Sequence, residues 1–532
     1  MNPRQLNRSG IAVLLIIFAV AVGIAGRLVL AREDTRPSKT AAPAKSSDNT
    51  ANSDAGLTKA IDQIIDHGGL PQARVGVIVL SAKDGRVLYA HDADRLFMPA
   101  SNMKIYTTAV ALDTVGPDYR WRTSVYAAKR PDAGGMVEGD LTLYGRGAPD
   151  LVSKPEADRP SLAKFADQLY QIGVREVRGN IVGDESYFRG ELFGLGWQWN
   201  DLQWYFGAQP SALSLDENSF ELTIAPGDKP GGNARVVVNP DEKLVHLRNE
   251  ATTGERDAKT SIGIMRDLSG NDLRVWGEFP VSGSAYSAFL AFDKPALRAA
   301  AVFKQLLTAR GIKVSGEARS RDFRVADTEK FDPQKATELA YQDSEPLVEI
   351  ARRTNKQSNN LFAELLLRTI GKERGATAPD PDARKNRERG DDEAGTAVVK
   401  AWLEGNGIPT ATLSIRDGSG LSRLDLVSPQ SSARLLAAML GKSTSAAFYD
   451  SLPVAGRDGT LAGRLKNVTG KISAKTGSLT YVHSLSGYAS TAKGETVIFS
   501  IMCNDAQSER AAVGLIDKIA SAIIDPSSVI PK

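Results

Sequence analysis

The sequence predicts an α+β fold in which one antiparallel sheet is assembled from the two ends of the chain and the middle is inserted into it. Three observations carry this reading. Alternating apolar strands stand near both ends, a run of short strands and turns fills residues 121 to 340, and helical periodicity dominates 345 to 450. At 532 residues the chain exceeds what a single core usually supports, so two or three domains are expected.

The elements follow in order. "MNPRQLNR" is basic, and "SGIAVLLIIFAVAVGIAG" then runs without a charge to Arg27. That pairing is the pattern of an export signal, with "VLA" at 29–31 as a cleavage site, or of a membrane anchor if it stays uncut. Residues 32–56 are small, polar and Pro-containing, and read as a tether with little to bury. The folded part is thus expected outside the cytoplasm, touching a membrane only through residues 1–31. From Leu57, "LTKAIDQIIDHGG" reads as a helix closed by glycine, and "ARVGVIVLSAKDGRVLYAH" as two strands around the turn "KDG". "PASNMKIYTTAVAL" follows as a helix.

The middle has a texture of its own. "MVEGDLTLYGRG", "ARVVVNPDEKLVHLRNE" and "NDLRVWGEFPVSG" are strand-and-turn segments. Two stretches resemble each other, "LAKFADQLYQIGVREVRGNIVGD" and "RAAAVFKQLLTARGIKVSGEARS". Two related halves of one domain would explain them, and so would convergent helix-turn-strand grammar. Four helical segments follow between 345 and 450, interrupted by a charged, Pro- and Gly-containing stretch at 371–394 that reads as a solvated loop. "KISAKTGSLTYVHSLSGYASTAKGETVIFSIMCN" then gives three antiparallel strands, and "SERAAVGLIDKIASAIID" a terminal amphipathic helix.

Composition excludes several function classes. A net charge of +3, from 66 basic and 63 acidic residues, gives no electrostatic case for nucleic acid. The single cysteine, Cys503, cannot form an intramolecular disulfide and lies in an apolar run that suits a buried thiol. The four histidines are scattered and show no metal-ligand spacing, so neither a metal nor a cofactor is expected.

Three short motifs carry chemistry: S-N-M-K at 101–104, S-N-N at 358–360 and K-T-G-S at 475–478. Alone, each is weak. S-x-x-K recurs at Ser161–Lys164 and Ser490–Lys493, and Ser101 could be a helix N-cap beside an ordinary lysine. Context separates them. Ser101 opens a helix, Ser358 falls between helices, and Lys475 lies on a strand assigned to the sheet, whereas Ser161 reads as an N-cap and Ser490 flanks a hairpin turn.

A serine hydroxyl needs a base, and a lysine one helical turn on lies on the same face. Lys104 can serve only if its pKa falls, through burial or a second cation such as Lys475. Ser358 can relay the proton to a leaving amine. Asn360 offers a donor and an acceptor to a substrate amide, and Lys475, Thr476 and Ser478 suit a terminal carboxylate. The strand edge can pair with an extended peptide.

S-x-x-K, S-D-N and K-T-G together form the signature of penicillin-binding proteins and class A β-lactamases, and S-N-N stands here in place of S-D-N. Ser358 follows Ser101 by 257 residues, too far for a β-lactamase. With "GRGAPDL", "GWQWNDLQWYFGAQPSALSLDENSF", "IRDGSGLSR" and "AGRDGTLAGR", residues 57–525 resemble the low-molecular-mass class C penicillin-binding proteins, the D-alanyl-D-alanine carboxypeptidase/endopeptidases of peptidase family S13. The resemblance implies a DD-peptidase/β-lactamase-like domain at 57–120 and 341–532, with a five-stranded antiparallel sheet, flanking helices and a helical subdomain. It implies two inserted strand-rich domains, II at 121–215 and 284–340 and III at 216–283. It further implies acylation of Ser101, Lys104 as base, Ser358 as proton shuttle and Asn360 on the substrate amide. Lys475, Thr476 and Ser478 would hold the carboxylate, and the backbone amides of Ser101 and Ser478 would form an oxyanion hole. The partners implied are a peptidoglycan stem peptide and β-lactam inhibitors. The rivals are an inactive penicillin-binding scaffold and a β-lactamase, the latter lacking its E-x-x-L-N pattern here.

Overall fold

The computed structural model describes residues 55–157, 159–240, 244–329, 331–377 and 389–528, all within the unit Asn52–Lys532. The expected export segment 1–31 and nearly all of the tether lie outside the described residues. Among the described residues no helix is long and apolar enough to cross a membrane.

Strands form at both chain ends because a period of two serves two cores at once. In Arg74–Ser81 (β1), Val75, Val77 and Val79 enter one core, while Ile78 and Leu80 enter another. Val87–His91 (β2) pairs beside it, and Ile472–Leu479 (β3), Val482–Ser490 (β4) and Thr496–Asn504 (β5) come from the far end. The five strands run antiparallel in the order β3-β4-β5-β1-β2, which leaves β3 at an edge. In β5, Ile498 and Met502 face one core, and Val497, Phe499, Ile501 and Cys503 the other, where burial lifts the Cys503 thiol pKa to about 11.

The framing helices are α1 (Ala55–Asp66), α2 (Met103–Thr114), α3 (Leu347–Lys356), α4 (Asn360–Arg374), α5 (Asp391–Gly405), α6 (Pro429–Leu440) and α7 (Glu509–Ile524). Helices α1 and α7 pack on one face of the sheet through Leu57, Ile61, Leu515 and Ile519. On the other face α2 is central, and every residue from Met103 to Leu112 is buried. Such a helix has no polar stripe, because α3, α4 and α6 contribute to the same core around it.

The inserted region holds the two similar stretches side by side. Glu176–Arg178 pairs in parallel with Lys313–Val314, and Ile181–Asp184 with Ala318–Arg321. The helices Leu162–Gln171 and Pro295–Ala309 meet at Phe165 and Phe303, with ring centroids 6.3 Å apart. A further piece has a separate core around Phe220, Leu222, Val275 and Leu290.

Three boundaries differ from expectation. Helix α1 starts at Ala55, two residues into the expected tether. The third piece, expected to end at 283, continues to Ala291, because Tyr286–Ala291 pairs with Ser219–Ala225. The stretch 371–394 is helical at both ends, since α4 runs to Arg374 and α5 begins at Asp391. Its charges misled because they suit helix ends. Lys372 and Arg374 close α4, and Asp391, Asp392 and Glu393 open α5, each sign matching the macrodipole.

Candidate active site

The S-N-M-K segment is a tight turn driven into the core ahead of α2. Ala100–Asn102 forms a 3₁₀ turn in which Ala100 takes φ +48°, and the α-helix begins only at Met103. The N-cap alternative for Ser101 is therefore overturned. The cap position belongs to Asn102, and no side-chain cap bond is made there. Asn102 Nδ2 instead donates to Lys475 O (3.0 Å) and Ser484 Oγ (2.7 Å), while Ser484 Oγ donates to Pro99 O (2.7 Å). The turn is thereby fastened to β3 and β4.

This fastening sets Ser101, half-buried, against the fully buried Lys104. Lys104 Nζ lies 2.9 Å from Ser101 Oγ, 2.6 Å from Asn360 Oδ1 and 2.8 Å from Ser419 O. Burial pulls its pKa down to about 7, against the opposing pull of the Asp417 and Glu364 carboxylates. Burial, rather than Lys475, is the cause. Lys475 is itself buried, and its pKa is driven well down by desolvation and then by the charge on Lys104.

Ser358 sits between α3 and α4 at φ +60°, a conformation that costs a non-glycine residue of order 1–3 kcal/mol. Its Oγ accepts from Lys475 Nζ at 2.9 Å, and the same ammonium donates to Thr476 O at 2.8 Å. Asn359 caps α4 by accepting from Phe362 N and ties the segment to Glu217 Oε2 (2.8 Å) of the inserted region. Asn360 was expected to have both amide atoms available to substrate. Here Oδ1 accepts from Lys104 Nζ and Nδ2 donates to Phe206 O (2.8 Å), so both amide atoms already have a partner within the protein.

Strand β3 completes the cleft. Thr476 Oγ1 pairs with Thr460 Oγ1 at 2.7 Å, and the exposed Ser478 lies 3.3 Å from His483 Nδ1. Gly477 cannot carry a side chain. A Cβ there would lie 2.6 Å from Pro99 O and 3.0 Å from the Ser101 amide nitrogen. The strand thus passes directly over the Ser101 turn, which accounts for glycine at this position.

The expected side chains form an array of two hydrogen-bonded groups, Ser101 and Asn360 on Lys104 and Ser358 on Lys475, bridged by Asn102 on the Lys475 carbonyl, with Thr476 and Ser478 further along β3. The decoys lie elsewhere. Ser161 caps its helix by accepting from Lys164 N (3.3 Å), and Ser490 ends β4 beside its turn. Sequence reasoning missed Asn102, Thr460, and the buried acids Glu364 and Asp417. Asp417 accepts from Trp197 Nε1 at 2.8 Å, which ties "GWQW" to "IRDGSG", two segments whose resemblance was visible but whose contact was not.

Comparison with known proteins gives the relatives of the chain. Residues 57–523 match the model of the D-Ala-D-Ala carboxypeptidase 3 (S13) family. The chain is 33% identical over 477 residues to a D-alanyl-D-alanine carboxypeptidase of Actinomadura, covering 87% of this chain and 84% of that protein. It is 26% identical over 446 residues to the D-alanyl-D-alanine carboxypeptidase DacB of Haemophilus influenzae, covering 81% and 85%. In fold it is similar to penicillin binding protein 4 (dacB) from Haemophilus influenzae, with TM-score 0.73 and 24% identity over 87% of this chain and 98% of that one.

Proposed function

The chain belongs to the D-Ala-D-Ala carboxypeptidase 3 (S13) family, and from that premise we propose that it is a serine hydrolase of peptidoglycan stem peptides working through an acyl-enzyme on Ser101. The observation that carries the reading is the 2.9 Å contact between Ser101 Oγ and a lysine buried enough to be neutral near pH 7. Lys104 takes the hydroxyl proton as Oγ attacks the carbonyl of the terminal D-Ala-D-Ala bond. The backbone amides of Ser101 and Ser478 receive the oxyanion, a role supported by the approach of β3 to the Ser101 nitrogen. Ser358, held by Lys475, relays the proton that Lys104 has taken on to the leaving amine. Lys475, Thr476 and Ser478 hold the substrate carboxylate, and the peptide pairs with the outer edge of β3 beyond Ala474, past the bonds that β3 makes with Pro453 and Ala455. Asn360 keeps Oδ1 on Lys104 and offers the second Nδ2 hydrogen to the substrate amide carbonyl. Water then releases the acyl group, and penicillins acylate the same serine.

The array belongs to a region corresponding to 57–120 and 341–532, with the inserted residues divided into a domain II and a domain III, a division supported by their separate cores. The protein works outside the cytoplasm, where its substrate is, exported through residues 1–31. The test is incubation with peptidoglycan fragments followed by mass spectrometry. Loss of one terminal D-Ala shows carboxypeptidase action, and separation of cross-linked dimers shows endopeptidase action. Fragments left intact by a protein that is folded would overturn the reading.

A further inference from the structure

Lys104 Nζ has three partners, and they are not equivalent. Asn360 Oδ1 and Ser419 O can only accept, whereas Ser101 Oγ can also donate. A neutral lysine whose two protons go to the two carbonyl oxygens keeps its lone pair for Ser101. The Ser419 carbonyl is thus half of the device that aims the base.

That carbonyl belongs to a loop with nothing loose in it. Glu364, on the first turns of α4 and only 2% exposed, accepts from Gly418 N (3.0 Å) and Ser419 N (2.8 Å) with a single oxygen, Oε1. Asp417 accepts from Gly420 N and Ser422 N, both at 2.7 Å. Thr107, one turn beyond Lys104 on α2, donates to Gly418 O at 2.7 Å. Both glycines are forced by crowding. A Cβ at Gly418 would meet Ala363 O at 2.5 Å, and Gly420 holds φ +81° with the Ala100 carbonyl pressed against the site a Cβ would take. The loop is wedged between α4 and the nucleophile turn. The charged groups around Lys104 are Glu364 from α4, Asp417 from the loop and Lys475 from β3. Asp425 and Arg368 act in turn on Glu364 and its neighbours.

We propose that the loop Asp417–Gly420, fixed by Glu364 and Thr107, is a positioning device that presents the Ser419 carbonyl to Lys104 and so directs its lone pair at Ser101. Glu364 and Thr107 are positioning residues that act through this loop. The inference rests on the reading of Ser101 and Lys104 as nucleophile and base.

The test is the rate constant of acylation by a fluorescent penicillin, measured on the full chain and normalised to the sites labelled at end-point. Glu364→Gln keeps an oxygen for both amides and is expected to stay within about threefold of the unaltered protein. Glu364→Ala removes that acceptor, and a misplaced base should slow acylation by about 30-fold or more per competent site. A purely structural glutamate would lower the number of labelled sites and leave their rate unchanged. An unchanged rate per site in Glu364→Ala, or an equal loss in Glu364→Gln, overturns the proposal. Should Glu364→Ala fail to fold, Thr107→Val decides. A fall of about fivefold or more supports the device, and an unchanged rate overturns it. Absence of labelling in the unaltered protein would instead sink the reading of Ser101, so the two failures are distinguishable.

Discussion

Ser101–Lys104 and Ser161–Lys164 share a four-residue pattern and almost nothing else. At Ser161 the backbone is extended at φ −143°, the hydroxyl accepts from Lys164 N, and Lys164 Nζ turns away to Arg159 O (2.9 Å). The pair is a helix cap with a half-buried lysine. At Ser101 the helix starts one residue after Asn102, the hydroxyl is left to the lysine side chain, and Nζ is sealed among three oxygens. The difference lies in what surrounds the first helical turn. Ser161 lies in the inserted region and meets Gln342 of a neighbouring strand, while the Ser101 turn is clamped by β3, β4 and the loop Asp417–Gly420. On the proposed reading, burial that lowers the lysine and a turn that frees the serine are what make one of the two motifs a catalytic pair.

Substitutions can break this contrast, beginning with the largest effect. Lys104→Met should cut penicillin acylation by about three orders of magnitude, within the range for loss of a general base, whereas Lys164→Met should leave it unchanged. Equal losses would erase the distinction. Gly477→Ala should come next. A methyl between β3 and Pro99 O must push the Ser101 turn aside, and about a hundredfold loss in acylation rate is expected, read by stopped-flow labelling.

The pH profile sharpens the comparison further. Only neutral Lys104 can accept the serine proton, and its pKa is lowered to about 7. Acylation should therefore be slow at pH 5, rise through a limb near 7, and level off above it. A limb near 10 would mean that Lys104 is as solvated as an ordinary lysine. The smallest effect belongs to the cap. Ser161→Ala should cost about 1 kcal/mol of stability by chemical unfolding, with labelling of Ser101 intact.

Much of the fold was legible. The alternation in "ARVGVIVLS" and "TVIFSIMCN" marks the central strands, because each face of the sheet meets its own core. The six side chains from Ser101 to Thr476 were also legible, since each is a polar type whose spacing on helix or strand has chemical meaning. Other features leave no such trace. Ser419 acts through a main-chain oxygen, which any residue supplies. Asn102 occupies a free position of S-x-x-K, and its role appears only when Lys475 O and Ser484 come within reach. Glu364 lies on a helix buried almost all round, where one acid among leucines gives no hint that it faces a loop 54 residues away. The likeness of the two inserted stretches showed in sequence, but their parallel pairing did not, because register between distant strands is set by tertiary contacts.

The central claim is that burial and turn geometry make Ser101 the nucleophile. It is tested most directly by mapping the adduct formed with a fluorescent penicillin, in the unaltered chain and in Ser101→Ala. One covalent adduct on the peptide carrying Ser101, absent from the folded Ser101→Ala protein, is the predicted result. Labelling that persists in Ser101→Ala, or an adduct on Ser161 or any other serine, would contradict it.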